Sequence, residues 1–358
     1  MLVLVTGGTG FIGSHTARAL RRAGHSVRLL VRNPEKARRL FGEEIGRGIE
    51  LQTGDVADPA AARRALDGVH AVIHAAAVVS VERRRAAEVE RVNVAGVRNV
   101  VGAACELGVA TVVHVSSAAA LFRPGGPRLR ADLPLAPAGS AYGRSKVAGD
   151  RLARELLERG APVRICYPVG VVGPDDPGLS EMNHMLVALL RDLMPITSSG
   201  CSLLDVRDLA ELHVALVERA GPGRYLAGGH DVTWPELADL FDALTGVPVR
   251  RARIPGAGLR LAGYLGDLVK RVLPLDFPLT REAMVYATLW PGAEPDPAVE
   301  ALGVRYRPLA TTLEETIRWL AGAGHLPGRR AGRLAPASGD PHAGAGSAPP
   351  AAPSRPAS

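Results

Sequence analysis

The stretch that decides the fold is Val3-Leu4-Val5-Thr6-Gly7-Gly8-Thr9-Gly10-Phe11-Ile12-Gly13. An apolar, β-branched run ends there in a glycine-rich turn, and the residues from Ser14 to Arg22 continue with the pattern of a helix. Gly7 permits a tight turn, Gly10 lets the backbone approach a pyrophosphate, and Gly13 lets the helix pack close to the strand. The helix N-terminus adds free N–H groups that attract phosphate. The stretch therefore predicts a dinucleotide site that includes Gly7, Gly10, Phe11, Ile12 and Gly13.

Runs with the patterns of strands and helices alternate through the first half of the chain. The strand-like runs are residues 2–6, 26–31, 49–51, 71–74, 111–115 and 163–167, and the helical stretches between them are residues 14–23, 59–66, 84–107 and 141–159. Such alternation predicts an α/β fold with a Rossmann-type doubly wound parallel sheet. We expect residues 1–168 to form this NAD(P)-binding domain.

The second half of the chain is less regular. We expect residues 169–325 to form a smaller C-terminal α/β substrate lobe, with some segments returning to the Rossmann sheet. Thr233 and Thr312 each stand three residues before a glutamate, so both are expected to start a helix with a capping box. Residues 326–358 are mostly Gly, Pro, Ala and Ser with few apolar anchors, which predicts a disordered tail.

The composition argues against several classes of protein. The formal net charge is +7, but the arginines are spread over helix patterns without the basic-aromatic patch of a nucleic-acid binder. Cys105, Cys166 and Cys201 form no CxxC pair, which indicates reduced thiols, and no cluster has the spacing of a metal site. No leader pattern precedes the first strand and no apolar run reaches transmembrane length. We therefore expect a cytoplasmic protein without an integral membrane segment.

Tyr142-Gly143-Arg144-Ser145-Lys146 places a phenol and an ammonium on one face of a predicted helix. A phenol has a pKa near ~10, and a neighbouring positive charge is expected to lower it towards neutrality. Ser116-Ser117 follows the strand-like run Thr111–Val115, where a hydroxyl can hold a substrate oxygen beside the tyrosine. The alternatives are a surface Tyr and Lys on an amphipathic helix, and two serines that cap the end of a strand.

The spacing TGxxGxxG, the YxxxK motif and the serine pair together resemble the extended short-chain dehydrogenase/reductase superfamily. Within it, the chain is similar to NAD(P)-dependent epimerase/dehydratase and dihydroflavonol-reductase-like proteins over residues 1–322. The resemblance implies hydride transfer between a nicotinamide and a carbon atom, with Ser117, Tyr142 and Lys146 as catalytic residues. It favours Ser117 over Ser116 as the catalytic serine, and it places Ser116, Tyr142 and Lys146 beside the cofactor. A homodimer is common among such proteins and is possible here.

The same resemblance suggests further roles. Asn93 resembles a helix asparagine that aids a proton relay, although a buried asparagine bonded to the backbone is an equal alternative. Pro168 and Val169 match positions where relatives contact the nicotinamide amide through the backbone. Tyr167 departs from the Arg or Asn that many relatives have before this proline.

The cofactor is expected to be NADP(H), with NAD(H) possible. Arg32 follows the second strand where NAD enzymes usually carry an acid, and a guanidinium can bind a 2′-phosphate through paired hydrogen bonds. A solvated arginine is the alternative. Asp55 and Val56 resemble an adenine-contacting pair, with a turn-capping aspartate as the alternative. Ala75 and Ala76 are small, so they would let a ribose approach the backbone.

The reaction predicted is NADP(H)-dependent reduction of a ketone or aldehyde on a hydrophobic small molecule, or the reverse alcohol oxidation. Ala118 follows Ser117 where dehydratases of the family often carry Asp-Glu, which argues against dehydration. An NAD-dependent nucleotide-sugar epimerase and a non-catalytic NADP-binding scaffold are the alternatives. Segments 182–190 and 259–268 are expected to line an apolar pocket. The helical pattern of residues 259–273 also allows a membrane-surface helix.

Overall fold

The structure is a computed structural model, and it describes residues 1–78, 86–137, 141–272 and 280–336. The strands in these ranges are β1 (Leu2–Thr6), β2 (Ser26–Val31), β3 (Ile49–Thr53), β4 (Ala71–His74), β5 (Thr111–Val115), β6 (Val163–Pro168), β7 (Gly170–Val172), β8 (Leu193–Ile196), β9 (Gly200–Asp205), β10 (Gly223–Ala227), β11 (His230–Thr233) and β12 (Arg250–Arg253).

The helices complete the alternation that the sequence predicts. They are α1 (Phe11–Arg22), α2 (Pro34–Phe41), α3 (Pro59–Leu66), α4 (Ala86–Gly96), α5 (Ala103–Glu106), α6 (Ala141–Glu158), α7 (Glu181–Arg191), α8 (Val206–Glu218), α9 (Trp234–Thr245), α10 (Gly256–Val272), α11 (Arg281–Leu289), α12 (Pro297–Glu300), α13 (Leu309–Gly322) and α14 (Gly328–Ala331). A π-helical segment, Val97–Gly102, joins α4 to α5. The predicted helix 84–107 is thus observed as α4, this segment and α5, with residues 84 and 85 outside the described ranges.

The largest sheet has seven parallel strands in the order β10-β6-β5-β4-β1-β2-β3. Its order reverses between β1 and β4, and ligands of such sheets bind beyond the carboxyl ends of the strands at that point. The register pairs Thr6 with His74 and His74 with His114, so the ends of β1, β4 and β5 lie side by side. The expected Rossmann-type doubly wound fold is confirmed.

Two segments from the second half return to this sheet. The strand β10 pairs with β6 at its edge, and α8 packs against α1. Thr16 on α1 and His213 on α8 share a buried hydrogen bond of 2.9 Å. The remainder of this half has its own core of buried apolar residues around a mixed sheet, β11-β9-β7, and the parallel pair β12-β8.

The boundary expected for the disordered tail is wrong for residues 326–336. The helix α14 and a following 3₁₀ turn occupy this segment, and Leu326, Ala331 and Leu334 are buried in the second core. The average composition of the segment is low in apolar residues, but these three apolar side chains are enough to anchor it in the core. Residues 337–358 of the predicted tail lie outside the described ranges.

The two expected capping boxes have different outcomes. Thr233 forms the capping box with Glu236 at the start of α9, as predicted. Thr312 does not start α13, which begins at Leu309, and its hydroxyl donates instead to Asp205 at 2.9 Å. Among the described helices, none is long and apolar enough to cross a bilayer.

Candidate active site

The turn between β1 and α1 forms a cradle that glycines keep open. Gly7 has φ of 75°, and a Cβ at this position would lie 2.8 Å from the Ala76 nitrogen. A Cβ on Gly13 would lie 2.2 Å from the Gly7 carbonyl oxygen. Gly10 precedes α1 and offers no side-chain cap, so the first N–H groups of the helix receive no acceptor from it. The turn therefore fits a pyrophosphate, which such N–H groups can bind.

The segment after β4 closes one side of this cradle. The Ala76 N–H donates to the Thr6 hydroxyl at 3.2 Å, and the same hydroxyl contacts His74 Nδ1 at 2.8 Å. The Ala75 carbonyl lies 2.9 Å from where a Gly7 Cβ would be. Ala75 and Ala76 thus lie against the glycine turn. The predicted contact of these two residues with a cofactor ribose requires this position.

The two serines after β5 face different surroundings. The Ser116 hydroxyl is buried and donates to Asp150 at 2.7 Å, so it belongs to the interior behind α6. The Ser117 oxygen accepts from the Ala119 N–H at 3.2 Å, and its hydroxyl lies close enough to the Tyr142 phenol to act on the pKa of that phenol. Ser117 is therefore the serine beside the tyrosine, and the hydroxyl of Ser116 is committed to a structural bond. The cofactor-contacting role of Ser116 stays a prediction.

Tyr142 and Lys146 lie one turn apart on α6, both half-buried. Lys146 Nζ lies 5.8 Å from the centre of the Tyr142 ring and donates to the Val115 carbonyl at 3.1 Å. Burial lowers the pKa of Lys146 to about 8, against a weaker opposing effect of Asp150. The ammonium is thus fixed at the end of β5, next to Ser117.

The pKa of Tyr142 is raised above its usual value, whereas the sequence argument expected it to be lowered. Burial is the main cause, the negative charges of Glu181 and Glu282 add to it, and the nearby Ser117 hydroxyl acts in the opposite direction. The sequence argument considered only the nearby ammonium, which lowers the pKa of a phenol. It omitted the desolvation of the phenol, which raises that pKa. In this arrangement Tyr142 stays protonated at neutral pH.

Glu181 and Glu282 are residues of the site that the sequence analysis missed. Glu181 begins α7 and reaches solvent, yet its pKa is raised, first by partial burial and then by Glu282. Glu282 lies in the first turn of α11. Both lie in the first turn of their helices, where acids are common on any helix, so no local signal distinguishes them.

Asn93 is held by the backbone. Its amide oxygen accepts from the Val78 N–H at 2.7 Å, and its amide nitrogen donates to the Val78 carbonyl at 3.0 Å and to Ser145 Oγ at 2.9 Å. Ser145 in turn donates to the Tyr142 carbonyl at 2.8 Å. These contacts match the alternative of a buried, backbone-bonded asparagine, and they tie α4 to the start of α6. The relay role of Asn93 stays a prediction.

The residues predicted to contact the adenosine follow β2 and β3. Arg32 is exposed at the end of β2, and it forms no ion pair within the described part of the chain. The Asp55 carboxylate accepts from the Ala57 N–H at 2.9 Å, as expected of a turn-capping aspartate. The Val56 carbonyl accepts from the Asn99 side-chain amide at 3.0 Å. The Val56 side chain lies beside Gly96 on α4.

Pro168 ends β6, and Val169 is buried with its N–H donated to the Ala227 carbonyl at 3.2 Å. The preceding Tyr167 is fully buried, and its hydroxyl donates to Asp150 at 3.0 Å and accepts from Arg154 at 2.9 Å. The departure from Arg or Asn at this position therefore serves a buried polar network below the sheet end.

Three aromatic rings lie near Tyr142. The Phe122 and Tyr286 rings stack at 4.6 Å, and Trp290 lies 5.4 Å from Phe122. Burial is the main cause of a raised pKa of Tyr286, with smaller effects of Glu282 and of the Tyr142 phenol, so this cluster lies near the site. The expected lining by residues 259–268 is wrong, because the large apolar side chains Leu261, Tyr264, Leu265 and Leu268 face solvent.

Two buried histidines lie behind Lys146. The rings of His74 and His114 stack at 5.9 Å, and neither ring nitrogen of His114 has a hydrogen-bond partner among the described residues. Burial is the main cause of the lowered pKa of both, with His74 at about 3. A cavity of about 10 Å³ adjoins them and is also lined by Asn93, Ser145 and Lys146. This volume has room for one water. No group of acidic, His or Cys side chains in the described ranges suits a metal ion.

Comparisons with known proteins agree with this geometry. The family model of the NAD dependent epimerase/dehydratase family matches residues 3–228. The ceramide reductase of Caulobacter vibrioides is 30% identical over 336 residues, which cover 91% of this chain and 96% of that protein. Cinnamoyl-CoA reductase 1 of Oryza sativa subsp. japonica is 28% identical over 344 residues, with 91% and 92% covered. A solved structure of a nucleoside-diphosphate-sugar epimerase from Pseudomonas aeruginosa aligns with a TM-score of 0.71 and 25% identity, covering 91% of this chain and 99% of that one. The chain therefore belongs to the NAD-dependent epimerase/dehydratase family of extended short-chain dehydrogenases/reductases and is an NAD(P)-dependent enzyme.

Proposed function

We propose that this chain is an NADP(H)-dependent reductase of a ketone or aldehyde on a hydrophobic molecule, which can also run the reverse oxidation. The observation that carries the proposal is the grouping of Ser117, Tyr142 and Lys146 at the end of β5, where Lys146 Nζ lies 5.8 Å from the centre of the Tyr142 ring and donates to the Val115 carbonyl. This arrangement can deliver a proton to an oxygen atom that Ser117 also contacts. It lies on the same edge of the sheet as the glycine cradle of β1 and α1.

The residues that would hold the cofactor are Gly7, Gly10 and Gly13 at the pyrophosphate, Ala75 and Ala76 at a ribose, and Pro168 and Val169 at the nicotinamide amide. When bound, the cofactor supplies or accepts the hydride. Asp55 and Val56 would contact adenine. Lys146 would bond the ribose hydroxyls, for which its ammonium is already fixed by the Val115 carbonyl.

The chain's own groups handle the oxygen of the substrate. The Ser117 hydroxyl donates to the carbonyl oxygen and stabilises the charge that develops there. As a C–H bond forms at the carbonyl carbon, the Tyr142 phenol transfers its proton to that oxygen, so that the carbonyl becomes an alcohol. The Lys146 ammonium then faces the phenolate that remains.

Arg32 supports a preference for NADP(H) over NAD(H). Its guanidinium is exposed beyond β2, no acid occupies the neighbouring positions, and it has no ion-pair partner in the described part of the chain. A charge-assisted bond between a guanidinium and a phosphate is worth roughly 1.5–3 kcal/mol. That energy corresponds to roughly 10- to 100-fold tighter binding of NADPH than of NADH.

The aromatic cluster Phe122, Tyr286 and Trp290 supports a hydrophobic substrate, because these rings lie against the site. The carboxylates of Glu181 and Glu282 act on Tyr142, and they disfavour a phosphate group at this rim. The name of one relative, ceramide reductase, also indicates reduction of a hydrophobic compound. Nucleotide-sugar epimerisation with NAD remains the rival reaction, and its support is the likeness to the solved epimerase.

The test begins with mass spectrometry of the purified protein for bound cofactor. NADPH oxidation is then measured with a panel of hydrophobic ketones and aldehydes. We expect Tyr142→Phe to lose roughly 100- to 10,000-fold in turnover while the dissociation constant for NADPH stays unchanged. Tyr264→Phe is the matched control, because its ring is 56% exposed on α10 and it should keep full activity.

Arg32→Asp should reverse the preference between NADPH and NADH. NADH binding by the wild type that equals or exceeds NADPH binding would refute the cofactor assignment. Retained NAD with sugar-nucleotide epimerisation in the absence of added cofactor would establish the rival reaction. A non-catalytic scaffold predicts no turnover on any carbonyl and cofactor binding that Tyr142→Phe leaves unchanged.

A further inference from the structure

The helix α10 presents its large apolar side chains to solvent. Their exposed fractions are 60% for Leu261, 56% for Tyr264, 49% for Leu265, 46% for Leu268 and 40% for Val269. The spacing of three and four residues puts them on one side of the helix, which we call the α10 apolar face. Scattered apolar residues on a surface are ordinary, but five on one helix form a continuous patch.

The buried side of α10 carries small residues instead. Gly263 and Gly266 are buried, and a Cβ on Gly263 would lie 2.7 Å from the Thr280 carbonyl oxygen and 2.8 Å from Met284 Cγ. Glycine thus lets α10 pack closely on α11. The α10 apolar face is therefore not needed for the core of the second half, and it lies on the side away from α11.

Basic residues lie on the two elements next to α10 in the chain. Arg253 at the end of β12 and Arg281 at the start of α11 are exposed, and neither forms an ion pair within the described ranges. The sequence adds Lys270 and Arg271 within α10 itself, whereas the Arg260 guanidinium donates to the Thr288 hydroxyl of α11 at 3.0 Å and belongs to the inner side. The acid of this helix, Asp267, accepts from the backbone N–H of Arg281 at 3.2 Å and thus caps α11.

We propose that α10 docks on the surface of an anionic phospholipid bilayer, with the α10 apolar face among the upper acyl chains and the basic residues at the headgroups. An amphipathic helix with leucine and tyrosine on one side and Lys/Arg at its edges has this behaviour. Anionic headgroups complement the surrounding positive charge. At 17 residues, α10 lies on the bilayer and does not span it.

A second copy of the chain is the other conceivable occupant, and the charges disfavour it. In a two-fold dimer the same patch meets itself, so the basic edge of one copy would face the basic edge of the other. Like charges at an interface oppose association. A bilayer offers apolar chains and negative headgroups together, which is the combination that this surface requires.

Docking would bring the catalytic centre close to the lipid. The helix α11 lies under α10 and carries Glu282 and Tyr286, both of which interact electrostatically with Tyr142. A hydrophobic substrate could then enter from the bilayer, a consequence that rests on the proposed function. The docking itself does not, because its test measures binding to vesicles and no turnover.

The experiment is co-sedimentation of the full chain with vesicles of phosphatidylcholine alone and of phosphatidylcholine with phosphatidylglycerol. We expect binding to the anionic vesicles that weakens as salt is raised, since salt screens the headgroup attraction. The double variant Leu265→Ser with Leu268→Ser should bind at least roughly tenfold more weakly. Leu193→Ser is the matched control, because Leu193 is 53% exposed on β8, and it should bind as the wild type does.

Thermal unfolding and NADPH binding of each variant establish that it is folded. Binding that is equal for wild type and double variant, or absent from anionic vesicles, overturns the proposal. Equal binding to neutral and anionic vesicles also overturns it, because the basic edge would then have no part. Sedimentation velocity supplies a further outcome. If the wild type and Leu193→Ser form a dimer and the double variant is a monomer, the α10 apolar face belongs to a second copy and docking on lipid is refuted.

Discussion

Replacing Lys146 by methionine should stabilise the fold while it abolishes catalysis. Methionine fills about the same space as lysine but carries no charge. Burial lowers the pKa of Lys146 from its usual 10.5 to about 8, which corresponds to about 3.4 kcal/mol of disfavoured charge. The side chain is half-buried, and the variant loses its bond to the Val115 carbonyl, worth about 1 kcal/mol. We therefore expect a net gain of about 1–2 kcal/mol in the free energy of unfolding at pH 7.

The dependence of this gain on pH tests its cause. Below pH 8 the lysine is charged in the folded and unfolded states alike, so the wild type bears the full cost of burying it. Between pH 8 and 10.5 the folded state has lost the proton while the unfolded state retains it, and the cost shrinks. The advantage of Lys146→Met should therefore be complete at pH 7 and approach zero as the pH rises through 10.5.

Urea denaturation at both ends of this pH range measures the effect. Lys36→Met is the control, because Lys36 is exposed on α2, and its loss should change the free energy of unfolding by less than about 0.5 kcal/mol. A Lys146→Met variant that is less stable than the wild type at pH 7 would refute the reasoning. An advantage that does not change with pH would show that packing, and not buried charge, is responsible.

Three further predictions concern the cradle, a buried histidine and the buried carboxylate. Gly13→Ala should weaken NADPH binding at least roughly tenfold by calorimetry, since its Cβ would lie 2.2 Å from the Gly7 carbonyl oxygen. Gly102→Ala, with open space around it, should bind normally, and equal loss in both would contradict this. His74, with a pKa of about 3, stays neutral in the fold, so stability should fall from pH 6.5 towards pH 3 by up to about 1.4 kcal/mol per unit. His74→Gln should fall less steeply in urea denaturation, and parallel slopes would argue against the assignment. Asp150→Asn should cost about 3 kcal/mol in thermal unfolding, because the carboxylate is fully buried against a guanidinium, and an unchanged melting temperature would contradict a charged Asp150.

The sequence predicts the first half of the fold well, because its signals are local. Strands β1 and β4 are nearly continuous apolar runs, and β2 and β5 are mostly apolar, so their prediction needs no information about their neighbours. The start of α1 is less well predicted, since Phe11 and Ile12 extend the helix back to the glycine turn. The helix α2 was not predicted, because much of its sequence, Pro34–Phe41, is charged and it buries only Ala37 and Phe41.

The second half depends on contacts between distant residues, which local patterns do not contain. Thr312 looks like an N-cap, but its hydroxyl serves Asp205, and the helix begins one turn earlier. The α10 pattern has apolar residues at helical spacing, and that spacing fixes one face without saying whether the face meets protein or solvent. Here glycines take the inner position, so the inference of a pocket lining from Leu261 and its neighbours failed.

In the candidate site, too, local features were predicted and long-range effects were not. Ser117, Tyr142 and Lys146 were predicted because a motif and a strand end fix them, and the structure brings them together. The direction of the Tyr142 pKa was not predicted, because burial and the charges of Glu181 and Glu282 come from elements far away in the sequence. With carboxylates in front and a lysine of lowered pKa behind, the phenol holds its proton at neutral pH. A tyrosine in that state can donate to a carbonyl oxygen, whereas alcohol oxidation must first remove its proton, and this supports the proposed reduction.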